Sequence, residues 1–249
     1  MKGLTEEKLT SFSKFRVTSA DTDMYARVRL GAIVNYLIQS AIDSADRLGF
    51  GYGGIRGQNL FWVLSRLTVE LDRPLKWYES LEVETWPKNV ERILYLRDFI
   101  IRDGGGSVAG RATSGWLAVD IGTRRMKKID GLHAGFFDHL KDKHAIEAPP
   151  EKLFPVEGGE THEIKPVYFD IDLNGHVTTT RYVDWMMDML PPGFHRNNYP
   201  RKLSLNIMKE TLPGESILLS SKQCSDNEFR YEGMNSNKGT NAFRAHTAF

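Results

Sequence analysis

Between Leu30 and Leu48 the apolar residues fall at Leu30, Ile33, Val34, Leu37, Ile38, Ala41, Ile42, Ala45 and Leu48. That i, i+3, i+4 spacing predicts an amphipathic helix with a wide buried face. Gly49 and Gly51 predict its end. The period then changes to two. In "VLSRLTVELDR" Val63, Leu67, Val69 and Leu71 alternate with Leu64, Arg66, Thr68 and Glu70, a mostly half-buried strand. The stretch 81–87, "LEVETWP", alternates in the same way, and "RILYLRDFIIR" (92–102) is apolar on both faces, as a central strand is. "DGGGS" (103–107) reads as a hairpin turn, "VAGRATSGWLAVD" as the next strand, and "TRRMKKI" (123–129) closes the set.

The texture changes after about residue 130, where Pro149, Pro150, Pro155 and the pair Gly158-Gly159 predict a linker with one short helix in "LHAGFFDHLKD". The first pattern then returns in shorter form. "IKPVYFD" reads as a strand, 178–190 as a helix, and "PRKLSLNIMKETL", "ESILLSSKQC", "EFRYEGMNS" and "AFRAHTAF" as strands of a second sheet. The chain divides into an N-terminal half (1–130), a linker (131–162) and a C-terminal half (163–249). One register aligns Asp21, Asp23 and Val28 with Asp170, Asp172 and Val177. A second aligns Leu67, Glu79 and Ser80 with Leu203, Glu215 and Ser216. These matches, in the same order of helix and strands, predict an internal duplication. A lone helix on an antiparallel sheet must bury its face against that sheet, so each half is expected to be an α+β roll.

Composition narrows the function without naming it. The 249 residues are 41% hydrophobic and 26% charged with net charge +1, so a normal core is expected and no global field draws the chain to nucleic acid. One cysteine, Cys224, excludes an internal disulfide, and no Cys/His cluster has the spacing of a zinc site, so neither a metal nor another cofactor is expected. No apolar run approaches the ~20 residues of a membrane span. "MKGLTEEKLT" does not read as a signal or transit peptide, so a cytoplasmic location is expected.

The candidate chemistry lies where the two copies differ. Tyr25 aligns with Asn174, Arg27 with His176 and Pro74 with Glu210. Asp, Asn and Gly ahead of a helix are common turn and cap residues. A turn required by the fold would appear in both copies, however, and the amide and imidazole appear in only one.

At these residues the chain resembles acyl-acyl carrier protein thioesterases. "DIDLNGHVTTTRYVDWM" is similar to the family's Asp-x-Asp-x-Asn-x-His-Val-Asn-Asn-x-x-Tyr-x-x-Trp, through Asp170, Asp172, Asn174, His176, Val177, Tyr182 and Trp185, with Thr178 and Thr179 in place of two asparagines. "LSLNIMKE" is similar to Leu-x-Leu-x-Tyr-x-x-Glu through Leu203, Leu205 and Glu210, with Ile207 for the tyrosine. "FWVLSRLTVELDR", "VETWP", "GRATSGWLAVD" and "TRRMKKI" resemble family segments too. The resemblance implies a tandem hot-dog fold, two long helices each wrapped by an antiparallel sheet. It implies a catalytic set of Asp172, Asn174, His176 and Glu210 in the C-terminal half, and an acyl-binding N-terminal half. Plant members carry cysteine directly after the glutamate; here Thr211 stands there. Attack by water is therefore expected rather than by a thiolate.

Hydrolysis of a thioester needs a deprotonated water and a stabilised carbonyl oxygen. Histidine titrates near neutrality and suits proton transfer. Glu210 is the expected base, with His176 sharing the proton or holding the water. The Asn174 amide is a donor for water or carbonyl, amides at the start of the 178–190 helix favour the oxyanion, and Asp172 orients its neighbours. The helix "IVNYLIQSAI" and the strand "FWVLSRLTV" offer walls for the fatty acyl chain. The implied partner is acyl carrier protein, which is acidic. Arg124, Arg125, Lys127 and Lys128 form a local basic run suited to it, and Arg201-Lys202 precede the strand that leads to Glu210. A tandem already pairs its two sheets within one chain, and a homodimer remains open. So do a coenzyme A thioesterase, a hydratase or dehydratase of the same fold, and an acyl-thioester-binding module without turnover.

Overall fold

The computed structural model describes residues 5–129, 132, 137, 139–140 and 142–249. The helix expected at 132–142 falls largely outside these residues. The strands are β1 (Ser11–Arg16), β2 (Leu60–Leu71), β3 (Ser80–Glu91), β4 (Leu94–Asp103), β5 (Val108–Asp120), β6 (Met126–Lys127), β7 (Glu160–Ile164), β8 (Lys202–Ile207), β9 (Ile217–Ser225), β10 (Glu228–Asn235) and β11 (Thr240–Ala248). They form one antiparallel sheet in the order β1-β3-β4-β5-β2-β8-β11-β10-β9-β7, with β6 paired to β5. The second five repeat the first five in mirrored order, so the two copies meet at the β2–β8 pair. Leu67 pairs with Leu205, Thr68 with Ser204 and Val69 with Leu203. In the repeat register Thr68 is the counterpart of Ser204. The approximate two-fold axis therefore passes between those two residues.

On one face of the sheet lie α2 (Leu30–Arg47) and α4 (Thr179–Asp188). Ile33, Val34, Leu37 and Ala41 of α2, Tyr182, Val183 and Met186 of α4, and Leu67, Val69, Leu203 and Leu205 of the seam share one core. Gly31 lets the helices approach, because a Cβ there would meet the Asp184 carboxylate. The expectation of two long helices is corrected. α2 has 18 residues, whereas α4 has 10. Met189 and Leu190 separate α4 from Pro191 and Pro192, and a residue before proline is pushed out of the helical region. Pro192 then opens the short α5 (Pro192–Asn197). Two further short helices, α1 (Glu6–Leu9) and α3 (Tyr52–Arg56), lie in the N-terminal half.

Two strands depart from expectation. β1 was not anticipated: it is an edge strand whose exposed Phe12 and buried Ser11 reverse the usual alternation. The strand expected at 164–170 lies earlier, at Glu160–Ile164. Pro166 has no N–H for a ladder, and the Asp170 carboxylate accepts the Val167 N–H at 2.7 Å to close a 3-10 turn over Tyr168–Asp170.

The opposite face at the seam is covered by the segment expected to be a linker. Thr68, Ser204 and Asn206 point away from the helices and are buried. Their polar groups are satisfied by the strap: Thr68 Oγ1 accepts the Glu151 N–H (3.3 Å), and Ser204 Oγ donates to Glu151 Oε2 (2.9 Å). Asn206 accepts from the Leu153 N–H and donates to the Glu151 carbonyl, both at 2.8 Å. Further along, Lys88 reaches the Ile146 and Glu147 carbonyls and pairs with buried Asp98 (3.2 Å), which accepts the Ala145 N–H (2.8 Å). The segment is thus stitched to both halves. Asn206→Ala leaves the buried Leu153 N–H without its acceptor and is expected to cost about 1–3 kcal/mol. Urea unfolding should show the loss, with faster amide exchange at 151–153; unchanged exchange there rejects the strap.

Candidate active site

The loop 170–178 and its counterpart 21–29 are built by the same bonds. Asp172 N–H donates to the His176 carbonyl at 2.7 Å, as Asp23 N–H does to Arg27 at 2.7 Å. Asp172 Oδ1 accepts the N–H groups of Asn174 (2.8 Å) and His176 (3.2 Å), as Asp23 Oδ1 accepts those of Tyr25 (2.8 Å) and Arg27 (3.0 Å). Gly175 has φ 79 and its counterpart Ala26 has φ 59. Each loop then docks on the strand-end segment of its own half. Val177 N–H meets the Thr211 carbonyl at 2.9 Å, and Val28 N–H meets Leu75 at 2.8 Å.

That last bond brings the candidate chemistry together. The residues just before its two ends are His176 and Glu210. His176 Nε2 lies 3.1 Å from Glu210 Oε2, with the imidazole 15% and the carboxylate 40% exposed. Asp172 acts on His176 through the backbone, since its carboxylate holds the loop rather than the ring. Asn174 stands on the same loop, exposed, beside the exposed Leu173. Thr211 is fully buried. Burial pushes the neighbouring Tyr182 phenol up to about 12, so it stays protonated at neutral pH. Cys224 is exposed on β9. An open groove of about 630 Å³ lined by Pro166, Val167, Tyr168, Phe169, Ile171 and Pro213 borders Asp172.

The basic run divides. Arg124 Nη1 lies 3.5 Å from Glu210 Oε2, a contact the sequence did not announce. Lys127 pairs with Asp120 at 2.7 Å. Arg125 and Lys128 are exposed on the same hairpin.

In the N-terminal copy the equivalent position is filled by the chain itself. Arg27 pairs with Asp23 (2.8 Å) and donates to the backbone carbonyls of His195 (2.6 Å) and Asn198 (3.5 Å), in and just after α5. The Tyr25 hydroxyl donates to the Pro192 carbonyl at 3.2 Å, and the Tyr199 hydroxyl donates to the Val28 carbonyl at 2.8 Å. The Arg27 guanidinium also lies over the Tyr25 and Tyr199 rings. Where one copy presents an imidazole and a carboxylate, the other holds a plug.

Comparison with known proteins agrees with this two-part plan. The profile of the acyl-ACP thioesterase N-terminal domain matches residues 8–132, and that of the C-terminal domain matches 155–249. The chain belongs to the acyl-ACP thioesterase family. Among relatives, it is 29% identical over 212 residues to oleoyl-acyl carrier protein thioesterase 1, chloroplastic, of Arabidopsis thaliana, a match that covers 76% of this chain and 57% of that one. It is 24% identical to the palmitoyl-acyl carrier protein thioesterase, chloroplastic, of the same plant, over 83% of this chain and 53% of that one. The chain thus spans little more than half the length of these curated relatives. An acyl-ACP thioesterase structure from Bacteroides thetaiotaomicron superposes with TM-score 0.90 at 28% identity, covering 99% of this chain and 100% of that one. The 12:0-ACP thioesterase from Umbellularia californica shares the fold, with TM-score 0.84 at 21% identity over 96% of each chain. The hot-dog architecture of this family member is therefore established. No helix among its described residues is long and apolar enough to cross a membrane.

The plug generates a prediction. Arg27→Ala strands the Asp23 carboxylate and two carbonyls at α5, and is expected to cost about 2 kcal/mol or more. The His176 imidazole should keep its NMR chemical shifts at a fixed pH, because its loop is held by its own bonds. A thermal melt unchanged from wild type rejects the plug as a stabilising contact.

Proposed function

We propose that this chain hydrolyses fatty acyl thioesters of acyl carrier protein, giving free fatty acid and the carrier thiol. The observation that carries the reading is the 3.1 Å contact between His176 Nε2 and Glu210 Oε2, present in one copy of the duplicated fold and replaced by Arg27 and Pro74 in the other. Family membership and the activities named for the relatives support it.

In this reading Glu210 takes a proton from water while His176 shares it, and the water oxygen forms a bond to the thioester carbon. The carbonyl oxygen gains charge in the tetrahedral intermediate and is met by the Asn174 amide and the N–H groups at the start of α4. The intermediate collapses with cleavage of the carbon–sulfur bond, and the proton passes to the leaving thiolate. Asp172 keeps the loop in the shape that presents Asn174 and His176. Attack by water fits a buried threonine directly after Glu210 and a lone thiol far along the sheet. The acyl chain lies against the N-terminal half, between α2 and the sheet, and Arg125 and Lys128 meet the acidic carrier.

The test is thiol release from acyl carrier protein thioesters of several chain lengths and from the coenzyme A forms. His176→Ala and Glu210→Gln are each expected to lower kcat at least about 10²-fold with the fold intact. Wild-type turnover by both variants rejects the assignment, as does a double-bond product in place of free acid and thiol. The carrier KM is expected to rise with ionic strength. A salt-independent KM rejects the basic hairpin as the docking surface.

A further inference from the structure

The turn between β5 and β6 belongs to the N-terminal half but ends beside the candidate site of the other half. Its centre is Asp120, a buried residue whose Oδ1 accepts the N–H groups of Gly122 (3.1 Å) and Thr123 (2.8 Å) and the Thr123 hydroxyl (2.9 Å). Its Oδ2 takes the Lys127 ammonium at 2.7 Å. Lys127 foremost, with the Thr123 groups, holds the Asp120 carboxyl well below the usual carboxylate range. Arg124 N–H donates to the Asp120 carbonyl and Asp120 N–H to the Arg125 carbonyl, both at 2.9 Å. This tightly bonded turn puts Arg124 at φ 55, in the left-handed region, where a long branched-head side chain is uncommon.

From that position the guanidinium carbon lies 5.4 Å from the centroid of the Phe61 ring on β2, and Nη1 lies 3.5 Å from Glu210 Oε2. The same oxygen faces His176 Nε2. Glu210 lies beyond the end of β8 and is 40% exposed, so the ladder does not hold its side chain. Two nitrogens from opposite sides of the seam converge on one of its oxygens.

We propose that Arg124 is a positioning residue for Glu210, so that the catalytic centre is assembled from both copies of the duplicated fold. With Oε2 held between His176 and Arg124, Oε1 is the oxygen presented to water. The proposal rests on the reading of Glu210 as the base, and it removes Arg124 from the set that docks the carrier. The two roles separate on substrates with and without a protein attached. A docking arginine acts only on the carrier form and acts on KM; a positioning arginine acts on kcat for any acyl thioester.

The experiment is steady-state hydrolysis of an acyl carrier protein thioester and of the same acyl group on N-acetylcysteamine, by wild type, Arg124→Ala, Arg124→Gly and Arg124→Lys. Arg124→Ala and Arg124→Gly are expected to lower kcat about 10- to 100-fold on both substrates, the scale of a misplaced reacting group. KM for the small thioester should change little. Arg124→Lys keeps a cation within reach of the carboxylate and is expected to recover part of kcat. Glycine adopts a positive φ readily, so Arg124→Gly should melt no lower than wild type while losing turnover. That combination excludes unfolding as the cause. In a Glu210→Gln background, Arg124→Ala should cost nothing further. Wild-type kcat on both substrates, with a raised KM for the carrier form alone, overturns the proposal and returns Arg124 to docking. Hydrolysis of neither substrate by the wild-type protein is a different failure: it rejects the proposed function, and this inference falls with it.

Discussion

The pairing of β2 with β8 is the constraint on which the rest depends. It joins two copies of one unit into a continuous sheet and sets Thr68 beside its own counterpart, Ser204. Because side chains alternate across a strand, that register also decides the two faces. Leu67, Val69, Leu203 and Leu205 go under the helices, while Thr68, Ser204 and Asn206 go outward. A shift of one residue would put hydroxyls and an amide in the core and leucines under the strap. The strap is the matching half of this arrangement, since it supplies hydrogen bonds where the seam is polar. Buried polar groups without such partners are costly.

Much of this was legible in the residues. The periodicity of 30–48, the turn at 103–107 and the apolar run at 92–102 all reappear as α2, the β4–β5 hairpin and an interior strand. The aligned pairs Asp23/Asp172 and Val28/Val177 turn out to make the same backbone bonds. The failures have physical causes. Hydrophobic pattern reads burial against a core, and β1 is an edge strand with an exposed phenylalanine. The 131–162 segment reads as a linker because it is rich in proline and glycine, yet the backbone of residues 145–153 is met by polar side chains from elsewhere, such as Lys88 and Asn206. Arg124 read as one cation in a surface run. Its contact with Glu210 is made across the seam, through a turn geometry that local sequence does not encode.

The candidate site shows how little backbone change separates a polar centre from a structural joint. Both copies have the Asx-type loop, the residue at positive φ and the bond from Val28 or Val177 to the facing segment. In one copy that scaffold brings His176 beside Glu210; at the aligned positions of the other stand Arg27 and Pro74. The loop is therefore a positioning device required by the fold, and any chemistry resides in what it carries. The difference between the copies therefore lies in those side chains, since the loop residues themselves form an ordinary turn in both.

The plug on the N-terminal copy gives a nearly two-fold object a direction. Arg27 and Tyr25 bind a segment that follows α4, and Tyr199 of that segment donates back to the Val28 carbonyl, so a piece of the C-terminal half covers the aligned loop of the other. A duplicated receptor with two equivalent mouths would take two guests, each blind to the other. Here an internal segment occupies one of this pair of positions, so the two are not equivalent to anything that approaches from outside.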